Sequence, residues 1–180
     1  MRGRVPLLAA VLLAATATTV TAAEVDAGLL AAIKAVDEAG VQAALAGGAD
    51  VTATETDGTT PLHWAVHADD PALVELVLGA GADATARNRY GVPPIALAAV
   101  NGNAAITKLL LEAGADAGAA LAQGETVLMT AARTGAPDVV ELLLEGGADA
   151  NAVETWRGQT ALMWAAAEGH AQVIPTLLSH

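Results

Sequence analysis

The sequence has no cysteine and no phenylalanine, and its single serine lies at position 179. Without cysteine the chain can form no disulfide and offers no thiolate as a nucleophile or metal ligand. The late serine leaves the body of the chain without the other common nucleophile. Stability must therefore come from packing, and catalysis has little support.

Basic residues are also scarce. Eight lysines and arginines stand against 20 aspartates and glutamates, which gives a net charge of −12 and a sequence pI of about 4.4. Proteins draw most of their affinity for phosphate groups from lysine and arginine, so this balance argues against a nucleic-acid partner. An anionic membrane surface is disfavoured for the same reason.

The sequence is strongly repetitive. The string Gly58-Thr-Thr-Pro-Leu-His-Trp-Ala65 returns in related form at residues 91–98, 124–131 and 158–165, and the leading glycines lie 33, 33 and 34 residues apart. A second marker, Gly-Ala-Asp, recurs every 33 residues, at 48–50, 81–83, 114–116 and 147–149. Two markers on one period predict stacked supersecondary units that each need a neighbour to bury their apolar face.

At these residues the chain resembles the ankyrin-repeat family. The resemblance is closest at Thr60-Pro-Leu-His63 and from Val139 to Asn151, and it extends over roughly residues 24–180. It implies an all-α solenoid of stacked helix-turn-helix units joined by β-hairpin-like loops. It also implies a binding scaffold with no reaction of its own, no cofactor and a protein partner.

Residues 1–23 are typical of a secretory signal peptide. A short basic start is followed by an uncharged stretch and by small residues before Glu24, which predicts cleavage near Ala23. The alternative is a retained anchor, since Val5 to Ala23 is nearly long enough to span a membrane. Cleavage would remove Arg2 and Arg4 and leave a mature chain near −14. We expect an exported protein, periplasmic or secreted, that does not bind membranes after cleavage and is a monomer.

Residues 24–56 are predicted to form an N-terminal capping repeat, because they lack the Thr-Pro-Leu-His turn and carry polar residues for an outer face. Leu29, Leu30, Ile33 and Val36 define its predicted apolar helical face. Residues 37–40 are predicted to turn the chain before a second helix over 41–45.

Residues 57–180 are predicted to form about three full repeats and one incomplete terminal repeat. Thr60 is a good cap and Pro61 a good first residue for a helix. In the last repeat, Pro175 falls inside the expected second helix, where proline removes a hydrogen bond, so that helix should be short or frayed.

A metal site is the strongest catalytic candidate in the sequence. His63 and His67 lie four residues apart on a predicted helix, and Asp69 and Asp70 follow. However, no glutamate has the spacing of a zinc hydrolase, and the resemblance implies a structural hydrogen bond for His63. We therefore predict no metal site and no catalytic residues.

The predicted binding surface is the concave side that the resemblance implies, formed by hairpin tips and exposed positions of the first helices. All four arginines after position 23 lie on or beside it, together with the single tyrosine and one tryptophan. Arginine and aromatic residues often dominate binding energy, so an acidic or carboxylate-bearing peptide is the expected partner. The predicted residues are Arg89, Tyr90, Val92, Asn101, Gln123, Glu125, Arg133, Trp156, Arg157 and Gln159.

Alternatives remain at this stage. The arginines could pair with local carboxylates such as Glu125 or Glu154, and Trp156 could brace its own longer hairpin. The chain could instead be a dedicated inhibitor or stabilising subunit of a periplasmic enzyme, a fragment of a longer array, or a metal-dependent hydrolase.

Overall fold

The computed structural model describes residues 21–180, which form ten α-helices arranged in five successive pairs. The first helices of the pairs are α1 (Ala22–Lys34), α3 (Pro61–His67), α5 (Pro94–Asn101), α7 (Val127–Thr134) and α9 (Ala161–Glu168). The second helices are α2 (Glu38–Ala46), α4 (Pro71–Gly79), α6 (Ala104–Glu112), α8 (Pro137–Glu145) and α10 (Ile174–Leu178). Within these residues, no helix is both long enough and apolar enough to cross a membrane.

The helices form two rows. Each first helix packs against the first helices of neighbouring pairs, so that α7 contacts both α5 and α9, and the second helices follow one another in the same way. Fully buried side chains fill the space between the two rows, among them Leu29, Leu73, Ile106, Leu128 and Leu143. The predicted fold, a helical repeat solenoid, is confirmed.

The predicted helix starts are also observed. Thr60 caps α3, because its hydroxyl accepts a hydrogen bond from the His63 N–H, and Pro61 is the first helical residue. Proline fits there because its missing N–H has no partner inside the helix. Pro71 and Pro137 open α4 and α8 in the same way.

The Gly-Ala-Asp marker has a physical cause in the turn that follows each second helix. Gly147 has a φ of 93°, a conformation that glycine adopts without steric cost. The carboxylate of Asp149 then accepts a hydrogen bond of 2.8 Å from the N–H of Asn151, two residues on. The three earlier copies, at Asp50, Asp83 and Asp116, make the same bond at 2.8–2.9 Å. The marker thus closes each repeat and directs the chain into the next hairpin.

The first pair differs from the prediction in two ways. Val36 was expected on the apolar helical face, but α1 ends at Lys34 and Val36 is 49% exposed with a φ of 54°. Asp37 does not belong to a turn over 37–40; it caps α2, which begins at Glu38, through a bond from the Gly40 N–H. The interhelical turn is therefore shorter than the sequence suggested.

The two ends of the described chain are also informative. The last helix, α10, has only five residues and carries Pro175 in its first turn, so the predicted shortening is confirmed. At the other end, α1 starts at Ala22 with a capping box between Thr21 and Glu24. The predicted signal segment lies almost wholly outside the described residues.

Candidate functional site

Backbone hydrogen bonds join the tips of the first and second hairpins and those of the third and fourth, and the Arg87 guanidinium, which donates to the carbonyl of Ala120, links the second hairpin to the third. The N–H of Arg89 donates to the carbonyl of Asp57 at 2.7 Å, and the N–H of Thr155 donates to the carbonyl of Gln123 at 2.7 Å. Within residues 21–180 there is one isolated antiparallel β-bridge, between Ala120 and Thr126. These bonds align the tips in a row beside the first helices. We call the tips at residues 56–57, 89–90, 122–124 and 155–157, together with the exposed first-helix residues His67, Val100, Arg133 and Glu168, the hairpin surface.

The hairpin surface contains a pocket of about 420 Å³ between the last two hairpins and helices α7 and α9. It brings together six of the ten residues predicted for binding, namely Gln123, Glu125, Arg133, Trp156, Arg157 and Gln159. Its remaining lining residues are Ala122, Glu154, Trp164, Ala167 and Glu168. The structure therefore places these six residues around one concavity.

Trp156 and Arg157 form its most prominent rim. The Trp156 side chain is 71% exposed, and the guanidinium carbon of Arg157 lies 4.1 Å from the centre of its ring. A cation held over an indole face at this distance is stabilised by about 0.5–1 kcal/mol at an exposed site. The pair thus presents a large flat apolar surface and a positive charge at one place.

Glu154 belongs to the same hairpin and lines the same pocket, but it was not among the residues predicted for binding. It is only 5% exposed, and its carboxylate accepts hydrogen bonds from the backbone N–H groups of Trp156 (2.5 Å), Arg157 (2.8 Å) and Gln159 (3.0 Å). These bonds lower the pKa of Glu154, with the one from Gln159 contributing most. The one-residue insertion before Gly158 was the signal that this loop differs from the others.

Arg133, in the last turn of α7, also lines the pocket. One of its guanidinium nitrogens is 4.0 Å from a carboxylate oxygen of Glu125, which also accepts a 3.0 Å hydrogen bond from the Thr130 hydroxyl. The guanidinium carbon of Arg133 is 5.6 Å from the ring centre of Trp164. Exposed ion pairs at such distances contribute little, so Arg133 is only weakly engaged by its own chain.

The other four predicted residues lie outside this pocket, and three of them have structural partners. The Arg89 guanidinium donates to the carbonyl of Thr56. The carbonyl of Val92 is 2.9 Å from His63 Nε2. The side-chain amide of Asn101 donates to the carbonyl of Val66 at 3.0 Å. These three groups connect neighbouring repeats.

Tyr90 is the exception, since it is 69% exposed at a hairpin tip. On helix α5, Val100 is 53% exposed, but the residue predicted for binding was its neighbour Asn101. Val100 occupies the same repeat position as Arg133 and His67. This alignment was the signal that could have found it.

Comparison with known families was made on the whole chain. The family model for ankyrin repeats (3 copies) matches residues 29–120 and 95–180, so together the matches span well over half of the sequence. The chain belongs to the ankyrin-repeat family. Comparison with curated proteins gives no match. Ankyrin repeats are generally protein–protein interaction modules and typically non-enzymatic scaffolds.

In this ankyrin-repeat chain His63 is a structural residue. It is 1% exposed, its Nδ1 faces the hydroxyl of Thr60 at 2.7 Å, and its Nε2 faces the Val92 carbonyl. Both ring nitrogens are therefore occupied, whereas His67 is exposed and packs edge-on against the Trp64 ring. Within residues 21–180, no three His, Asp or Glu residues are grouped closely enough to hold a metal ion.

Proposed function

We propose that this ankyrin-repeat chain captures a protein partner on the hairpin surface, with Trp156 and Arg157 as the centre of the contact. The observation that carries the proposal is the 71% exposure of Trp156 with Arg157 stacked on it at the rim of a pocket. Tryptophan and arginine are the residue types most enriched among those that dominate binding energy. Exposure of so large an apolar ring to water is unfavourable in free energy, and a partner that buries the ring would remove this cost.

The distribution of other exposed apolar side chains supports the same surface. Tyr90 and Val100 lie on it, one on a hairpin tip and one on α5, and they are 69% and 53% exposed. Together with Trp156 they provide exposed apolar side chains in the third and fifth repeats. The partner segment would therefore lie along the row of tips and would contact more than one repeat, which is how repeat proteins use an extended surface.

The test is affinity capture from a periplasmic extract with the chain as bait, using a double variant Trp156→Ala/Arg157→Ala. The matched control is Leu178→Ala/Lys108→Ala, which removes an exposed apolar side chain and an exposed cation elsewhere. We expect the first variant to lose the captured partner and the control to retain it, with both unchanged in helical content. Equal capture by both variants would remove the hairpin surface from consideration.

We further propose that the protein acts after export. The support is the basic, then uncharged, then small-residue pattern of residues 1–23. N-terminal sequencing of the chain recovered from the periplasm or the culture medium tests this. A start at Glu24 is the expected result, and an intact Met1 on a membrane-bound chain would favour a retained anchor.

A further inference from the structure

Trp64 and Trp164 occupy the same repeat position, six residues after the leading glycines Gly58 and Gly158, but their indole N–H groups differ. Trp64 Nε1 donates to a carboxylate oxygen of Glu55 at 2.9 Å. Trp164 Nε1 is shielded from solvent and has no hydrogen-bond acceptor in the described part of the chain. A shielded donor without an acceptor is costly, so its presence beside a pocket requires an explanation.

The cations beside the two rings are also equivalent. Lys34 lies 33 residues before His67, and Arg133 holds the matching position in the fourth repeat. Lys34 Nζ is 4.1 Å from the Trp64 ring centre and 2.7 Å from Glu55 Oε1. The first site is therefore a complete set of cation, indole and carboxylate. The second site has the cation and the indole, but no carboxylate on the indole N–H.

The missing carboxylate has a physical cause in the longer hairpin. Glu55 and Glu154 start their hairpins in the same way, since their N–H groups donate to the carbonyls of Thr59 (2.9 Å) and Gln159 (3.1 Å). In the fifth repeat the extra residue turns three backbone N–H groups toward Glu154, and its carboxylate binds these instead. The insertion thus withdraws the internal acceptor from Trp164.

We infer that the pocket binds a carboxylate from the protein partner, at the place that Glu55 fills in the second repeat. This rests on the proposed function and names the chemistry of the partner: an aspartate or glutamate side chain in an extended peptide segment. The carboxylate accepts the Trp164 Nε1–H and pairs with Arg133. Arg133 lies over the ring, and because its side chain is 44% exposed it has room to move aside when the ligand enters.

The charges around the pocket permit an anionic ligand. Three glutamates line the pocket: Glu154 is already satisfied by three N–H donors, Glu125 is engaged by Thr130, and Glu168 is exposed to solvent. Arg133 has only a 4.0 Å contact with Glu125, and Arg157 is stacked on Trp156. The donors that lack a close acceptor are therefore the two guanidinium groups and the Trp164 N–H, and a carboxylate is the acceptor that suits all three.

The test uses the indole N–H resonances of the ¹⁵N-labelled full chain, which has three tryptophans. The probes are the blocked tripeptide acetyl-Ala-Glu-Ala-amide, its glutamine counterpart and sodium acetate. We expect the glutamate peptide to shift the Trp164 indole resonance saturably, the glutamine peptide to leave it in place, and acetate to bind several-fold more weakly. The Trp64 resonance is the internal control, because its N–H is already bonded to Glu55.

Two variants test whether Arg133 pairs with the bound carboxylate. Arg133→Gln should weaken the glutamate peptide about tenfold, the loss expected for one charge-assisted hydrogen bond. Lys108→Gln, an exposed cation on α6, should not change the titration. Equal shifts with the glutamate and glutamine peptides, or a movement of Trp64 equal to that of Trp164, would overturn the inference. Acetate binding as tightly as the peptide would overturn the peptide source and indicate a site for free acids.

The two proposals fail separately. If Trp156→Ala/Arg157→Ala abolishes partner capture but no carboxylate shifts Trp164, the hairpin surface stands and the carboxylate site falls. In the opposite case, the carboxylate titration succeeds and partner capture survives the double variant. The pocket then binds an acid, but the partner does not bind at the hairpin surface and does not supply that acid.

Discussion

His63 connects two repeats through its Nε2, which donates to the carbonyl oxygen of Val92, 2.9 Å away. A carbonyl only accepts, so the ring proton lies on Nε2, and Nδ1 then accepts from the N–H of Thr60 at 3.2 Å. Neutral imidazole satisfies both partners. A protonated ring would place an Nδ1–H donor against the N–H donor of Thr60 and would carry a buried charge.

The first prediction is that stability falls on acidification below about pH 6.5. Burial holds the pKa of His63 below its ordinary value near 6.5, and the hydrogen bond to Val92 only partly offsets this. In the window between the two pKa values the unfolded chain binds a proton that the folded chain does not, so the free energy of unfolding decreases as pH falls. Urea denaturation at pH 7.5, 6.5 and 5.5 measures the slope.

The control for this prediction is His63→Met, since Met129 and Met163 occupy the same slot in later repeats. We expect this variant to lose about 1–3 kcal/mol at pH 7.5, because the Val92 carbonyl loses its donor. Its stability should vary less with pH between 6.5 and 5.5. An unchanged slope would show that other groups, and not His63, cause the acid sensitivity.

The second prediction is that Val36→Gly stabilises the protein by about 1–2 kcal/mol, the usual cost of the left-handed conformation for a residue with a side chain. The position after the first helix has positive φ in every repeat: Val36 (54°), Asp69 (58°), Gly102 (68°), Gly135 (71°) and Gly169 (77°). Val36 is a β-branched residue there and has no hydrogen-bonding side chain to compensate. The midpoint of urea denaturation checks the gain.

Gly135→Val is the reverse change. It introduces the same strain, and its Cβ would lie 2.5 Å from the His170 ring, so it should destabilise by more than Val36→Gly stabilises. If Val36→Gly is neutral, the turn after α1 is not strained in solution.

Much of this fold can be predicted from residue chemistry that acts locally. Thr60 and Pro61 fix a helix start by their own hydrogen-bonding and backbone limits, and the glycines and aspartates of the Gly-Ala-Asp marker fix the turns. These properties do not depend on distant contacts. The grouping of six predicted residues around one pocket has the same origin, since equivalent repeat positions lie on one face.

The hydrogen-bond partner of each side chain on that face could not be predicted from the sequence. Arg89 and Asn101 look like free polar residues, but their partners are backbone carbonyls in the preceding repeat, Thr56 and Val66. Such contacts depend on how far one layer is shifted against the next. Glu154 is a similar case, because the inserted residue changed which N–H groups its carboxylate could reach.

The third prediction separates binding from stability at two adjacent positions. Val100→Asp should weaken partner capture while leaving the unfolding midpoint nearly unchanged, because Val100 is 53% exposed on the hairpin surface. Asn101→Ala should do the opposite and lose about 1 kcal/mol of stability, because its amide bonds to the Val66 carbonyl and to Asp69. Capture and urea denaturation are measured on both variants. If Asn101→Ala were the one to abolish capture, the assignment of these two positions would be reversed.

The fourth prediction concerns the last helix. Pro175 takes the place that Glu141 has in α8, a helix of nine residues, and α10 has only five. Proline inside a helix lacks the N–H for the backbone bond and clashes with the preceding turn, so α10 starts at Ile174 and places Pro175 in its first turn. Pro175→Glu removes this restriction. The helix should extend toward Ala171, with stronger helical circular dichroism at 222 nm and a gain of about 1 kcal/mol, less than the full cost of a helical proline because the chain already avoids it.

Pro137→Ala is the matched control, because Pro137 is the first residue of α8, where proline costs nothing. That variant should show no gain in helical signal and no gain in stability. If Pro175→Glu behaves like this control, the shortness of α10 has another cause. The next candidate is the burial of Val173 and Leu177, which are 0% and 6% exposed and would then fix the course of the last residues through packing alone.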